Sequence, residues 1–212
     1  MFIAISGNIG AGKSTLTQRL ANHYGHRADL EAVGDNPYLD DFYLDMARWA
    51  FPLQIYFLNQ RFRQALRMTQ SADGVVMDRT IYEDAEIFAA NLHQLGHLSE
   101  RDHQNYRGLY ETMLSFVRPP DLLIYLRGSV ATLQTRIAQR HRAAAVGRAN
   151  ENRIPADYLH HLNERYDAWV QRFSLAPVFT IPIDSVDLAE EVHFVALVGQ
   201  IDRWRAAAPN HT

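Results

Sequence analysis

One short run constrains this chain more than any other. Gly7-Asn8-Ile9-Gly10-Ala11-Gly12-Lys13-Ser14-Thr15 follows directly on the apolar stretch Phe2 to Ser6. Beyond it, Leu16, Leu20 and Tyr24 recur at helical spacing. The order is strand, glycine loop, helix, and the loop satisfies G-x-x-x-x-G-K-[ST] in full, with an extra glycine at Gly10. The chemistry explains the residue types. Glycines let backbone N–H groups curl around phosphate oxygens without Cβ clashes. The N-terminus of the following helix adds partial positive charge. Lys13 is placed to neutralise β- and γ-phosphate charge, and Ser14 to offer its hydroxyl to Mg²⁺. The loop therefore predicts a bound nucleoside triphosphate, ATP first, held by Gly7 to Thr15 together with Mg²⁺.

Composition removes several competing classes. Lys13 is the only lysine among 21 cationic residues. No second lysine exists for a Schiff base, for a protein-kinase lysine–glutamate pair or for the guanine-reading motif of GTPases. There is no cysteine, so disulfides, thiol catalysis and cysteine metal sites are excluded, and a reducing cytoplasm is the expected location. The net charge of −3 gives no footprint of a nucleic-acid binder. No apolar run approaches the roughly 20 residues of a membrane span. The opening run lacks a basic segment, so a secretory signal is not expected.

The remainder alternates short apolar runs with helical patterns. Strands are expected at 2–6, 29–33, 74–78, 121–127 and 177–183. Helices are expected at 13–24, 38–46, 50–70, 81–93, 99–117, 129–141, 155–173 and 187–204, with Pro52 near the start of its helix. Buried strands between long helices imply an α/β fold with a parallel sheet covered on both faces. We read residues 1–212 as one domain. In such sheets ligands sit beyond the carboxyl ends of the strands, which singles out the residues just after each run.

The second run ends in Glu31-Ala32-Val33, and a carboxylate there can accept the proton of an alcohol acceptor; a solvated loop glutamate is the equal alternative. Asp78 ends the third run, as an aspartate that holds Mg²⁺ does. Arg79 beside it is suited to clamping the transferring phosphoryl group, unless the two are a plain surface pair. Gln54 and Arg61 lie nearly two helical turns apart, on one face, and an amide suits the edge of a nucleobase. Arg136, Arg140, Arg142 and Arg148 read as a lid over phosphates or as a solvated arginine face. His93 and His97 have metal-like spacing without a third ligand and are read as surface histidines.

Taken together, several blocks resemble the deoxyribonucleoside kinases, and among them the bacterial deoxyadenosine/deoxycytidine kinases. They are the loop itself, Glu31 to Leu39, Phe42-Tyr43, Arg48 to Gln54, Asp78-Arg79-Thr80-Ile81-Tyr82-Glu83-Asp84, Pro120-Asp121 and Glu151-Asn152-Arg153-Ile154 running to Tyr158-Leu159. The resemblance runs from Phe2 to about Trp169. It implies the P-loop kinase fold, a five-stranded parallel sheet flanked by helices, with an arginine-bearing lid over about 136–154. It implies transfer of the γ-phosphate of ATP to the 5′-hydroxyl of a deoxyribonucleoside, with deoxyadenosine first and deoxycytidine or deoxyguanosine next. Glu31 matches the general base, Arg79 its arginine companion, and Tyr43 with Glu151 the pair that binds the sugar 3′-hydroxyl. Gln54 matches the glutamine that reads the base, Phe88 an aromatic that stacks on it, and Arg61 with Asp84 a pair near its exocyclic group. The family's habit implies a homodimer, or a heterodimer with a related kinase.

The lid departs from the family pattern. His141 stands where a glycine is expected, and Arg148 to Ile154 restores the ending six residues late, so either Arg142 or Arg148 is the last phosphate-binding arginine. Two rivals are weighed against this reading. A nucleoside monophosphate kinase needs cations around its acceptor phosphate and has no use for a carboxylate base. An ATP-binding switch protein needs no pocket for a sugar and base.

Overall fold

The computed structural model describes residues 1–30, 36–69, 73–142 and 154–207. Five strands form one sheet: β1 (Phe2–Gly7), β2 (Arg27–Asp29), β3 (Val75–Asp78), β4 (Leu122–Arg127) and β5 (Val178–Pro182). Their order is β2-β3-β1-β4-β5 and every pairing is parallel. The helices are α1 (Lys13–Tyr24), α2 (Leu39–Leu44), α3 (Met46–Thr69), α6 (Glu100–Leu114), α7 (Val130–Arg142), α8 (Ala156–Arg172) and α9 (Glu191–Ala207). Between β3 and α6 one helical rod runs as α4 (Ile81–Glu83), a π-helical stretch (Asp84–Ala89) and α5 (Ala90–Gln94).

Side chains alternate across a strand, and here both faces are apolar. Phe2 and Ala4 of β1, Val75 and Met77 of β3, and Leu123 and Tyr125 of β4 join one core with residues of α3, the α4–α5 rod, α6 and α8. Ile3 and Ile5, Val76, and Leu122, Ile124 and Leu126 join the opposite core with residues of α1, α7 and α9. This is why β1 and β4 read as unbroken apolar runs. Each fully buried Ile or Leu contributes roughly 1.5–3 kcal/mol from burial alone. β1 lies in the middle, with β3 on one side and β4 on the other. Chain direction across the sheet reverses there, and the glycine loop emerges from that point.

Three elements start two or more residues from where they were expected. The second strand was expected at 29–33 and pairs at Arg27–Asp29 instead, with Arg27 N–H donating to the Gly74 carbonyl at 2.9 Å. The apolar residues near Val33 suggested the later window, but β3 fixes where an edge strand can pair, and 31–33 lie outside the described residues. α3 starts at Met46 rather than 50. Asp45 caps it, its Oδ1 accepting from Arg48 N–H at 3.1 Å. Pro52 is thus inside α3, where it removes the N–H that would reach the Arg48 carbonyl. The last helix begins at Glu191 rather than 187, because the chain first makes turns after β5.

Ile124 is fully buried on β4. Ile124→Ala is expected to cost about 2–5 kcal/mol of stability in urea unfolding, whereas Val192→Ser, at a residue 72% exposed, should change stability by under about 0.5 kcal/mol.

Candidate active site

The glycine loop is held by its neighbours as well as by its own hydrogen bonds. Gly7 and Gly10 have φ of 147° and 85°. A Cβ on Gly7 would sit 2.8 Å from the Leu126 carbonyl oxygen, and one on Gly10 would sit 2.8 Å from that of Leu133. Asn8 ties the loop to α8: its Nδ2 donates to the Leu159 carbonyl at 2.9 Å and to Asn163 Oδ1 at 2.7 Å, while its Oδ1 accepts from Ile9 N–H. Lys13 Nζ donates to the Asn8 carbonyl at 3.2 Å. Ser14 Oγ donates to Asp78 Oδ2. The other Asp78 oxygen, Oδ1, is buried without a hydrogen-bond partner. A hydroxyl on a carboxylate with one unsatisfied oxygen, beside a phosphate cradle, fits a Mg²⁺ site. When bound, the ion supplies charge neutralisation of the phosphates; Ser14 and Asp78 are the residues that would hold it.

Two clefts open from this loop. The first, of about 340 Å³, is lined by Ile9, Gly10, Gly12, Lys13, Ser14 and Thr15, by Tyr43 of α2, Gln54 of α3, Asp78 at the end of β3 with Arg79 after it, Asp84 and Phe88 of the π stretch, Arg140 and Tyr158. The second, of about 330 Å³, lies on the other side of the loop, between Ala11, Arg136, Arg140 and the turn Asp187-Leu188-Ala189. Arg136 spans it, with Nη1 donating to the Ala11 carbonyl at 3.1 Å and Nη2 to that of Ile183 at 3.3 Å.

Most of the expected site residues therefore converge. Gly7 and Asn8 line neither cleft and act by shaping the loop. Arg61 also lies off the lining. It is 2% exposed beneath the first cleft, with Nε facing Asp84 Oδ2 at 3.5 Å. Its Nη1 donates to the Asp78 carbonyl at 3.1 Å and to Gln64 Oε1 at 3.2 Å. Gln64 Nε2 in turn donates to Asp29 Oδ1 and to the Leu30 carbonyl. One guanidinium thus joins α3 to the end of β3 and the π stretch directly, and to the end of β2 through Gln64, and it reaches the cleft lining through Asp84. Arg79 has φ of 70°, an uncommon conformation for a side-chain-bearing residue, pinned by its N–H on the Ile5 carbonyl at 2.9 Å. Its guanidinium lies 4.2 Å from the Phe88 ring centroid. Glu31, Arg148 and Glu151, and the side chain of Arg142, lie outside the described residues.

Sequence reasoning missed three contributors. The Asp187–Ala189 turn follows β5, and the rule that singled out residues after strands would have found it. Tyr158 could not be found that way: it is a buried aromatic on α8, its phenol pushed well up by burial, and nothing in its spacing separates it from core. The π stretch also left no signal, although it carries both Asp84 and Phe88; such turns are frequent at functional sites.

Residues 3–203 match the sequence profile of the deoxynucleoside kinases. The chain belongs to that family. It is an ATP-dependent deoxyribonucleoside kinase, with a P-loop between its two clefts. Among its relatives, the deoxyadenosine/deoxycytidine kinase of Bacillus subtilis is 39% identical over 202 residues, 94% of this chain and 90% of that one. A deoxyguanosine kinase of Lactobacillus johnsonii is 35% identical over 205 residues, again 94% of this chain and 90% of that one. A solved deoxyadenosine kinase from M. mycoides with bound dATP superimposes with a TM-score of 0.81 at 29% identity, covering 95% of this chain and all of that one. No described helix of this kinase is long and apolar enough to cross a membrane.

The Arg61–Asp84 pair carries a stability cost if broken. Asp84→Ala takes the carboxylate from a buried guanidinium and is expected to destabilise the protein by about 3–5 kcal/mol in chemical denaturation; replacing exposed Asp202 with Ala should cost far less.

Proposed function

We propose that this kinase transfers the γ-phosphoryl group of ATP to the 5′-hydroxyl of a deoxyribonucleoside whose base carries an amino group, deoxyadenosine first. The observation that carries the reading is in the first cleft. Gln54 Oε1 is buried there without a hydrogen-bond partner, and Asp84 lines the same space. Two acceptors facing one pocket favour a base edge that presents a donor. Adenine and cytosine each place an exocyclic amino group beside a ring nitrogen that accepts, and the Gln54 amide can meet both. Guanine presents a carbonyl at that edge, against the Asp84 carboxylate, which ranks deoxyguanosine lower. Phe88 supplies a stacking surface and Tyr43 a hydroxyl for the sugar, joined in this reading by Glu151.

In the chemical step the 5′-oxygen bonds to the γ-phosphorus while the bond to the β–γ bridging oxygen breaks. The hydroxyl proton passes to Glu31, which follows β2. Negative charge spreads over the oxygens of the transferring group. Lys13 and Arg79 line the cleft where that charge develops, and Arg140 approaches from α7. Fixed cations in a space shut off from water stabilise such charge without reorganising. The second cleft takes the adenine end of the donor, with Arg136 at its wall. The absence of cysteine supports a cytoplasmic setting, and the single sheet supports one domain over 1–212. A homodimer rests on the family resemblance, and sedimentation of the purified chain tests it.

With ATP and Mg²⁺, turnover should be highest for deoxyadenosine, then deoxycytidine, then deoxyguanosine, and far lower for thymidine. A thymidine preference would keep the kinase and sink the base reading. Phosphorylation of monophosphates alone would overturn the acceptor. Glu31→Gln should lower kcat by about 100-fold or more while leaving ATP binding intact; near-normal turnover would remove Glu31 from the mechanism.

A further inference from the structure

Arg79 is held from behind by a buried polar relay that the reaction scheme does not use. Arg79 Nη1 donates to Tyr166 Oη at 3.4 Å. Tyr166, on α8, donates its hydroxyl hydrogen to Glu83 Oε1 at 2.9 Å. Glu83 sits at the end of α4, and its other oxygen accepts from Thr80 N–H at 2.9 Å and Thr80 Oγ at 3.3 Å. Tyr166 and Glu83 are both fully buried. The Tyr166 ring is packed between Tyr125, stacked at 5.8 Å, and Trp169.

The direction of each hydrogen bond is forced. A guanidinium only donates, so the phenol must show Arg79 a lone pair. Its single hydrogen is then committed to Glu83, which already receives two donors from Thr80. Burial pushes the Tyr166 phenol well above its ordinary value, so it keeps that hydrogen. The relay is polar from end to end, with the carboxylate at one end and the guanidinium at the other. A packing role alone would need the Tyr166 ring and not its hydroxyl, and would not need a carboxylate at a fully buried position, where desolvation is costly unless partners compensate.

We propose that Tyr166 and Glu83 are positioning residues for Arg79. Glu83 orients the Tyr166 hydroxyl, and the hydroxyl holds the Arg79 guanidinium over Phe88 and at the lining of the first cleft, where the transferring phosphoryl group carries its charge. The inference rests on the role given to Arg79 under the proposed function. Thr80 therefore does two things at once: it begins the helix through its capping box with Glu83, and it fixes the carboxylate that steadies the residue before it.

The test is steady-state kinetics of the full chain with ATP, Mg²⁺ and its best deoxyribonucleoside, alongside thermal unfolding. Tyr166→Phe keeps the ring and removes the relay. It should lower kcat by about 10–100-fold, the equivalent of one hydrogen bond to a charged group, with KM for ATP unchanged. Glu83→Gln leaves one acceptor where donors converge from two sides, so one contact faces donor to donor; kcat should fall at least as far. The double variant should be no slower than the worse single one, because the relay is already cut. Normal kcat in Tyr166→Phe, even with a lower unfolding temperature, would overturn the inference, as would additive losses in the double variant. Should Tyr166→Phe not fold, Glu83→Gln with full kcat would do the same. Arg79→Gln separates the two levels: if it retains kcat, the role of Arg79 fails, and if it is inactive while Tyr166→Phe is normal, only the relay fails.

Discussion

A parallel sheet buried on both faces can show chemistry only at its rim. β1 has β3 and β4 beside it and an apolar core above and below. Lys13, Asp78 and Arg79 therefore collect at or just beyond the strand ends. The loop after β1, Asp78 at the end of β3 with Arg79 after it, and the turn after β5 all lie on that one edge. The glycine loop, Asp78 and Arg79 are neighbours for this reason, although they are scattered along the chain.

The rim must hold charge in a place where water is scarce, and the structure does so by sharing partners. Arg61 serves the end of β3, Gln64 and Asp84 together. Asp78 takes Ser14 on one oxygen. Glu83 gathers Thr80 and Tyr166. Removing one member strands the others, because unsatisfied buried polar groups are expensive. The same sharing keeps the cleft in shape before any ligand arrives, so binding energy is not consumed in assembling it.

Much of this was legible in the sequence. The loop after β1 announced itself because its residue types are dictated by phosphate geometry. β1 and β4 were legible because both faces are buried and the runs are continuously apolar. Gln54 and Arg61 were rightly placed on one helix face, though Arg61 proved to lie beneath the cleft rather than on its wall. β2 was misplaced because Arg27-Ala28-Asp29 carries no strand signature; its pairing is imposed by β3. The start of α3 was misplaced because Pro52 suggested a first turn, whereas Asp45 had already capped the helix. The π stretch and the Glu83–Tyr166 relay were invisible, and Tyr158 entered only as the end of a resembling block, without a role. They depend on contacts between residues as far apart as 83 positions, and no local pattern encodes these.

The single lysine has a consequence outside catalysis. Lys13 is the only ε-amine in the chain and sits, 7% exposed, at the phosphate cradle. Reagents that acylate amines usually report on dozens of surface positions. Here, apart from a chain terminus, they report on one, and that one is covered whenever a triphosphate occupies the loop. The chain thus carries a built-in occupancy probe, and its many arginines offer such reagents no second side-chain amine.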